Sequence, residues 1–239
     1  MPTDATTSAA DQRPLDRATA AAIAEAFRPQ SRFGNRGDYY YTRGKLGSDP
    51  LYPGVLDALR GCDAPLLDLG CGLGLLLHAL RSDGQHMQYL GVDIDAGKIA
   101  RARRGAQRAG LAHQILNTMD LGQGMPAHHG SVAVLDTLQY LDASVQQQVL
   151  QAALERVSPT GRLVIRTPLA DQGGRDRTTR ITDMLAHLVG WMGPRPRHYP
   201  TAAELKGPLE AAGLQVRLVP MYGNTPFNNW MLVAARTLP

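Results

Sequence analysis

Residues 66–74 read Leu-Leu-Asp-Leu-Gly-Cys-Gly-Leu-Gly, an apolar run that breaks into three closely spaced glycines and then enters a helical pattern over 74–82. Glycines at a strand-to-helix turn let the backbone bend sharply and approach a ligand at the positive end of the helix. A dinucleotide fold places glycines at the same point. Its G-x-G-x-x-G fingerprint, however, needs the third glycine at position 75. Leu75 stands there and the third glycine, Gly74, comes one residue early. The spacing points away from a nicotinamide cofactor.

Outward from this turn, strand-like and helix-like segments alternate. Strands are predicted at 65–69, 88–93, 112–117, 131–136 and 161–167, with helices at 74–82, 96–109 and 143–157. This alternation predicts parallel βαβ units with helices on both faces of an α/β sheet. Upstream, 15–28 reads as an amphipathic helix, 32–53 has no regular period, and a helix runs from about 52 to 60. Downstream, 181–192 reads as a helix, and Thr201 with Glu204 has capping-box spacing for another through 212. The last two strands, 214–221 and 229–236, have a connection short enough for an antiparallel pair. The expected organisation is a disordered lead-in over 1–14, a helical cap over 15–60, and a catalytic domain over 61–239 with a cap insert at about 171–200.

Composition narrows the function classes. Net charge is +4, with nine basic and nine acidic residues across 61–170, and no dense basic tract that would mark a nucleic-acid surface. Two cysteines, Cys62 and Cys71, give neither a disulfide framework nor zinc spacing, so no metal is expected. No basic-then-apolar leader and no unbroken apolar span appear, which predicts a cytoplasmic enzyme without a membrane span.

Two acidic residues follow the glycine turn at the ends of the next strands. Asp93 ends YLGVD, where a carboxylate can accept from both ribose hydroxyls, a feature nicotinamide enzymes share. Asp120 in NTMDL can accept from an adenine amino group, with Met119 and Leu121 on either side of the ring. With these residues in place, the chain resembles the class I S-adenosylmethionine-dependent methyltransferases over about residues 50–239, through DLGCGLG, VDID and MDL. The resemblance implies a Rossmann-like seven-stranded sheet, mostly parallel with an antiparallel last strand. It places Asp68, Gly70, Cys71, Gly72 and Gly74 around the methionine part of the cofactor. Asp93 with Ile94 would lie at the ribose, Met119, Asp120 and Leu121 at the adenine, and Asp136 at the sulfonium end. Cys71 reads as small-side-chain packing. Arg43 and Lys45 would belong to a lid near the cofactor.

The residues after the fourth strand narrow the acceptor. DTLQYL (136–141) lacks the Asn/Asp-Pro-Pro-Tyr run of amino-methylating relatives, which leaves small-molecule acceptors in front. Eleven of thirteen aromatics lie before the sheet or after strand five, in the segments expected to cap it. Tyr40, Tyr41, Tyr199, Tyr222 and Phe227 would then line an aryl pocket, with Asn228 as a polar contact and Arg166 pairing an acceptor carboxylate. His198 in RHYP is the first choice for a general base, with Asp136 and Tyr140 as alternatives. The segments 41–52, 135–141 and 225–230 are similar to methyltransferases of aryl-polyene pigment biosynthesis, which implies a hydroxyaryl acid, free or on an acyl carrier protein. Two rivals stay open: methylation of RNA or protein, and a nucleotide-binding module or NAD-dependent oxidoreductase.

Overall fold

The computed structural model describes residues 12–171, 195–223 and 228–237. Three helices lead into the sheet: α1 (Arg17–Glu25), α2 (Gly37–Ser48) and α3 (Leu51–Leu59). Then β1 (Leu66–Leu69), α4 (Leu75–Ser82), β2 (Tyr89–Asp93), α5 (Ala96–Arg108) and β3 (Ile115–Thr118) follow in turn. After β4 (Ser131–Leu135) come α6 (Ala143–Arg156), β5 (Leu163–Pro168), α7 (Ala202–Ala211), β6 (Gln215–Pro220) and β7 (Asn229–Ala235). The predicted helix at 181–192 lies outside the described residues, as does most of the expected insert.

The seven strands form one sheet in the order β3-β2-β1-β4-β5-β7-β6. Strands β1 to β5 pair in parallel, and β7 runs antiparallel between β5 and β6. Every residue of β1 is buried, as expected when helices cover both faces of a parallel sheet. Alternation along β1 splits the core. Leu66 joins Phe27, Val55, Leu76 and Ile99 on one side, while Leu67 and Leu69 join Val149, Leu150 and Leu205 on the other. The chain order reverses between β2-β1 and β4, so the carboxyl ends of β1, β2, β3 and β4 open on one crevice, the usual ligand position in such sheets.

Two differences from the sequence expectation bear on the site. The aperiodic segment 32–53 contains a complete helix, α2, of sequence GDYYYTRGKLGS. Its glycines and tyrosines give it weak intrinsic propensity. Its buried residues, Tyr39, Thr42 and Leu46, nevertheless follow helical spacing, and tertiary packing against α1 supplies the stability. The expected disordered lead-in is also shorter at its inner end: the Gln12 side chain donates to the Pro220 carbonyl at 2.5 Å and accepts from the Gly223 amide at 2.9 Å.

Helix α5 carries five cations and no acid, AGKIARARRGAQR. Three of them tie it into the fold. Arg101 pairs with Asp38 of α2, Arg103 donates to the Leu116 carbonyl, and Arg108 donates to the Ala26 and Arg28 carbonyls behind α1. Arg101 and Arg108 thus anchor the N-terminal cap and Arg103 binds β3, while Lys98, Arg103, Arg104 and Arg108 remain exposed. At the other end of the chain, the capping box forms as its spacing predicts: Thr201 Oγ1 accepts from the Glu204 amide, and Glu204 Oε2 accepts from the Thr201 amide at 2.7 Å.

Candidate active site

The glycine turn is built by β1 running out beside β2. The Gly70 and Cys71 amides both donate to the Val92 carbonyl, at 2.8 and 2.9 Å. Gly70 has φ +80°, and a Cβ there would lie 2.1 Å from Thr137 Oγ1, so no side chain fits. Gly72 has φ +56°, yet the space above it is open for 4 Å. The loop is closed below, against Thr137, and open above Gly72, as a cradle for a ligand requires. Gly74 immediately precedes α4. Cys71 packs its thiol towards Gly91 and the core, and burial pushes that thiol's pKa far up, so it is an inert filler.

Asp93 is held in place by backbone amides. Its Oδ2 accepts from the Gly72 amide and its Oδ1 from the Asp95 amide, each at 2.9 Å. Each oxygen keeps a further lone pair for a vicinal diol. Ile94 beside it is 67% exposed, a large apolar side chain left uncovered at the mouth of the crevice. The Met119 amide donates to the Asp93 carbonyl at 2.9 Å, which brings the half-buried Met119, Asp120 and Leu121 next to it. Asp120 accepts from the Gly122 amide and from Gln123 Nε2, so its carboxylate is fixed in orientation.

Asp68 lies on the same crevice but is buried. Its Oδ2 accepts from the Tyr89 hydroxyl at 2.5 Å. Burial raises its pKa to about 7; the Tyr89 hydrogen bond works against that rise and the Asp93 charge reinforces it. A carboxyl poised near neutrality next to the turn suits a cationic group on a ligand.

At the end of β4 the chain makes its one positive-φ non-glycine residue among those described: Asp136, with φ 54°. A network of four charges holds it there. Arg166 donates from Nε to Asp136 Oδ1 at 2.7 Å and from Nη2 to Asp136 Oδ2 at 2.9 Å. The same guanidinium donates from Nη1 and Nη2 to both oxygens of Asp49. Lys45 Nζ closes the ring, 2.5 Å from Asp49 Oδ2 and 3.0 Å from Asp136 Oδ2. Burial opposes the charge on Asp136, but Arg166 and Lys45 outweigh it and hold the pKa below the ordinary carboxylate value. The same balance lowers the Asp49 pKa and raises that of Lys45.

This network corrects two expectations. Arg166 is 1% exposed and spends its donors on two carboxylates, so it does not face an acceptor at the pocket mouth. Asp136 is bound on both oxygens by cations and has a lowered pKa, which disqualifies it as a general base. Sequence reasoning does not find Asp49. It reads as an ordinary turn residue in GSDPLY, and its partner lies 117 positions away.

The aromatic residues lie in different surroundings. Phe27 and Tyr52 are core, Phe27 tilted 59° against the His78 ring at 5.1 Å. Tyr41 lies one turn before Lys45 on α2 and is 47% exposed, Tyr140 ends the turn after β4, and the Arg197 amide donates to the Gln139 carbonyl at 2.8 Å, which brings the segment of Tyr199 alongside. Tyr40 is exposed, edge-on to Tyr39 at 5.1 Å, and Arg43 is exposed on α2. Tyr222 is half-buried next to Gly223, and Phe227 lies outside the described residues. Asn228 is buried, and its Oδ1 accepts from Trp230 Nε1 at 3.3 Å. His198 is docked by its backbone: its carbonyl accepts from Gln146 Nε2 at 2.9 Å, while its ring lies 3.8 Å from Glu204.

Comparison with known proteins matches this geometry. A family model described as "Methyltransferase domain" covers residues 15–219. The chain is 25% identical over 174 residues to the ubiquinone biosynthesis O-methyltransferase of Xylella fastidiosa, covering 73% of this chain and 70% of that one. A 37% identical match of 102 residues to the release factor glutamine methyltransferase of Rhodospirillum rubrum covers 38% of this chain and only 31% of that protein. Among solved structures, magnesium protoporphyrin IX methyltransferase from Synechocystis, with bound S-adenosylhomocysteine, has TM-score 0.61 at 16% identity, covering 92% and 96% of the two chains. An O-methyltransferase from neocarzinostatin biosynthesis, in complex with S-adenosylmethionine and 2-hydroxy-5-methyl naphthoic acid, has TM-score 0.55 at 20% identity, covering 77% and 52%. Among the described residues no helix is long and apolar enough to cross a membrane. Because the family model spans residues 15–219 and the sheet has the fold of these solved structures, the chain belongs to the methyltransferase-domain family and is an S-adenosylmethionine-dependent methyltransferase.

Proposed function

We propose that the enzyme methylates a hydroxyl of a small aryl acceptor, either free or carried on an acyl carrier protein. The observation that carries this reading is the convergence of three tyrosine-bearing segments on the end of β4: Tyr140 in the turn after Asp136, Tyr41 one helical turn before Lys45, which binds Asp136 at 3.0 Å, and Tyr199 in the segment whose Arg197 amide donates to the Gln139 carbonyl at 2.8 Å. Aromatic side chains with polar tips suit a flat acceptor bearing a polar group. The O-methyltransferase relatives support the same chemistry.

Bound in the crevice, the cofactor supplies an electrophilic methyl group on a sulfonium. The residues of this chain position and desolvate. Asp93 orients the ribose through its two amide-anchored oxygens, and Asp120 with Met119, Leu121 and Ile94 frames the adenine. Asp68, Gly70 and Gly72 receive the methionine part. In-line displacement needs alignment and water exclusion above all. The tyrosines and the cap helix α2 supply the cover. Burial, reinforced by the Asp136 charge, raises the Tyr140 pKa, so at neutral pH this phenol donates and does not abstract. Among the expected bases, His198 is left to take the acceptor proton.

The test is methyl transfer from labelled S-adenosylmethionine to a panel of phenols, hydroxyaryl acids, anilines and thiols, with tRNA and bulk protein in parallel. Label on an aryl oxygen is the expected outcome. Label on RNA or protein alone would overturn the reading.

A further inference from the structure

The geometry points to Lys45 as the group that holds the acceptor oxygen. This rests on the aryl-hydroxyl reading above and gives it a specific contact. An ammonium has three donors. Two of those of Lys45 are spent, on Asp49 Oδ2 and Asp136 Oδ2. The third has no partner among the described residues, and the side chain remains 23% exposed. The two carboxylates fix the ammonium in place, and Arg166 binds both of them in turn. Two cations and two anions therefore balance, and the remaining Lys45 hydrogen is a fixed donor in a locally neutral cluster.

Its surroundings match an acceptor site. Tyr41 and Tyr140 feel its charge. Asp136 is followed directly by Thr137, which packs on Gly70 of the cofactor turn and bonds the Leu69 carbonyl at 3.3 Å. An oxygen bound to Lys45 Nζ would therefore sit beside Asp136, whose neighbour Thr137 backs the glycine turn. A fixed cationic donor favours the ionised form of an aryl hydroxyl over the neutral one. The proton leaves to His198 or to solvent, and the phenolate oxygen attacks the methyl carbon as the carbon–sulfur bond breaks. Lys45 stays protonated throughout; burial and Arg166 work against its charge, and Asp136 and Asp49 together raise its pKa. It fixes and activates the nucleophile electrostatically and removes no proton. A cationic amine at this position has no lone pair to offer the Lys45 hydrogen and would not be held by it.

The experiment uses 4-nitrophenol, whose phenolate absorbs where the neutral phenol does not, titrated with pH in the presence of the full chain saturated with S-adenosylhomocysteine. The wild type is expected to bind the probe and to shift its ionisation about tenfold towards phenolate, one pH unit. Lys45→Met, with S-adenosylhomocysteine still bound at saturating concentration, should abolish that shift, and Lys45→Arg should restore part of it. An absent shift in the wild type, or an equal shift in Lys45→Met, overturns the Lys45 assignment and leaves the aryl reading standing. If Lys45→Met fails to fold, the wild-type shift and its partial retention in Lys45→Arg decide. Failure of the wild type to bind 4-nitrophenol while S-adenosylhomocysteine still binds overturns the aryl-hydroxyl reading and this inference with it.

Discussion

Arg166 grips Asp136 through Nε and Nη2, at 2.7 and 2.9 Å, and so occupies both oxygens of a carboxylate whose backbone sits at positive φ. This contact joins β5 to the end of β4. Because the same guanidinium binds Asp49 just before α3, it also fixes the N-terminal cap to the carboxyl edge of the sheet. The cap is part of the site through buried charge as well as through apolar packing.

Breaking this pair should be costly. Arg166→Met leaves Asp49 and Asp136 without their main counter-ion in a buried setting, a loss of about 3–5 kcal/mol. Urea denaturation should show a lowered midpoint of that order. A loss below about 1 kcal/mol would show that the network is not what holds the cap.

The two turn glycines separate folding from binding. Gly70→Ala drives a methyl group into Thr137 and should impair folding outright. Gly72→Ala meets open space, so its stability loss is limited to backbone strain of about 1–2 kcal/mol. Its methyl group enters the ligand's space, and calorimetry should show weakened S-adenosylhomocysteine binding by a protein that still melts cooperatively. Equal behaviour of the two variants would contradict the cradle assignment.

The seven strands and this turn were legible from sequence: β1 and β4 are apolar runs buried almost throughout, β1 runs straight into the glycines, and the other strands follow from the strand–helix alternation and the short last connection. The charge network was not. Lys45, Asp49, Asp136 and Arg166 come from four separate segments, and only folding brings them together. Likewise α2 hides its buried face behind Thr42 and its glycines, so no apolar period reveals it. The aromatic count over-collected. Phe27 and Tyr52 are core, and Tyr140, from the cofactor half, sits in the turn directly after Asp136.

Acid stability should depend on His78. Its ring is 4% exposed, its Nε2 has no partner among the described residues, and burial lowers its pKa to about 4 from 6.5. Above pH 6.5 folded and unfolded chains are both neutral there, and nothing is lost. Between pH 6.5 and 4 only the unfolded chain takes up the proton, so this group removes up to ~1.4 kcal/mol of stability per pH unit, about 3 kcal/mol in all. Asp68 acts in the opposite sense, since its raised pKa favours the folded state at low pH and that gain is lost as pH rises towards 7. The informative quantity is therefore the difference between wild type and His78→Leu, which should shift in favour of the variant as pH falls from 6.5 to 4. A difference independent of pH would refute the buried neutral histidine.

Cofactor binding should release a proton near neutrality. Asp68 is about half protonated at pH 7 in the free protein, and a cationic amino group beside it would draw it to the carboxylate. Calorimetric titration of S-adenosylhomocysteine at pH 6.5, in two buffers of different ionisation enthalpy, should show net release. Asp68→Asn should abolish the buffer dependence. The same buffer dependence in Asp68→Asn would place the titrating group elsewhere.

The central claim is that the carboxyl edge of β1 to β4 holds S-adenosylmethionine through Asp93. Its most direct test is the S-adenosylhomocysteine dissociation constant of Asp93→Ala, set against the wild type and His129→Ala, an exposed loop substitution before β4. Loss of hydrogen bonds to a charged partner predicts a constant roughly ten- to a hundredfold weaker in Asp93→Ala alone. Equal affinity in all three proteins would contradict the account.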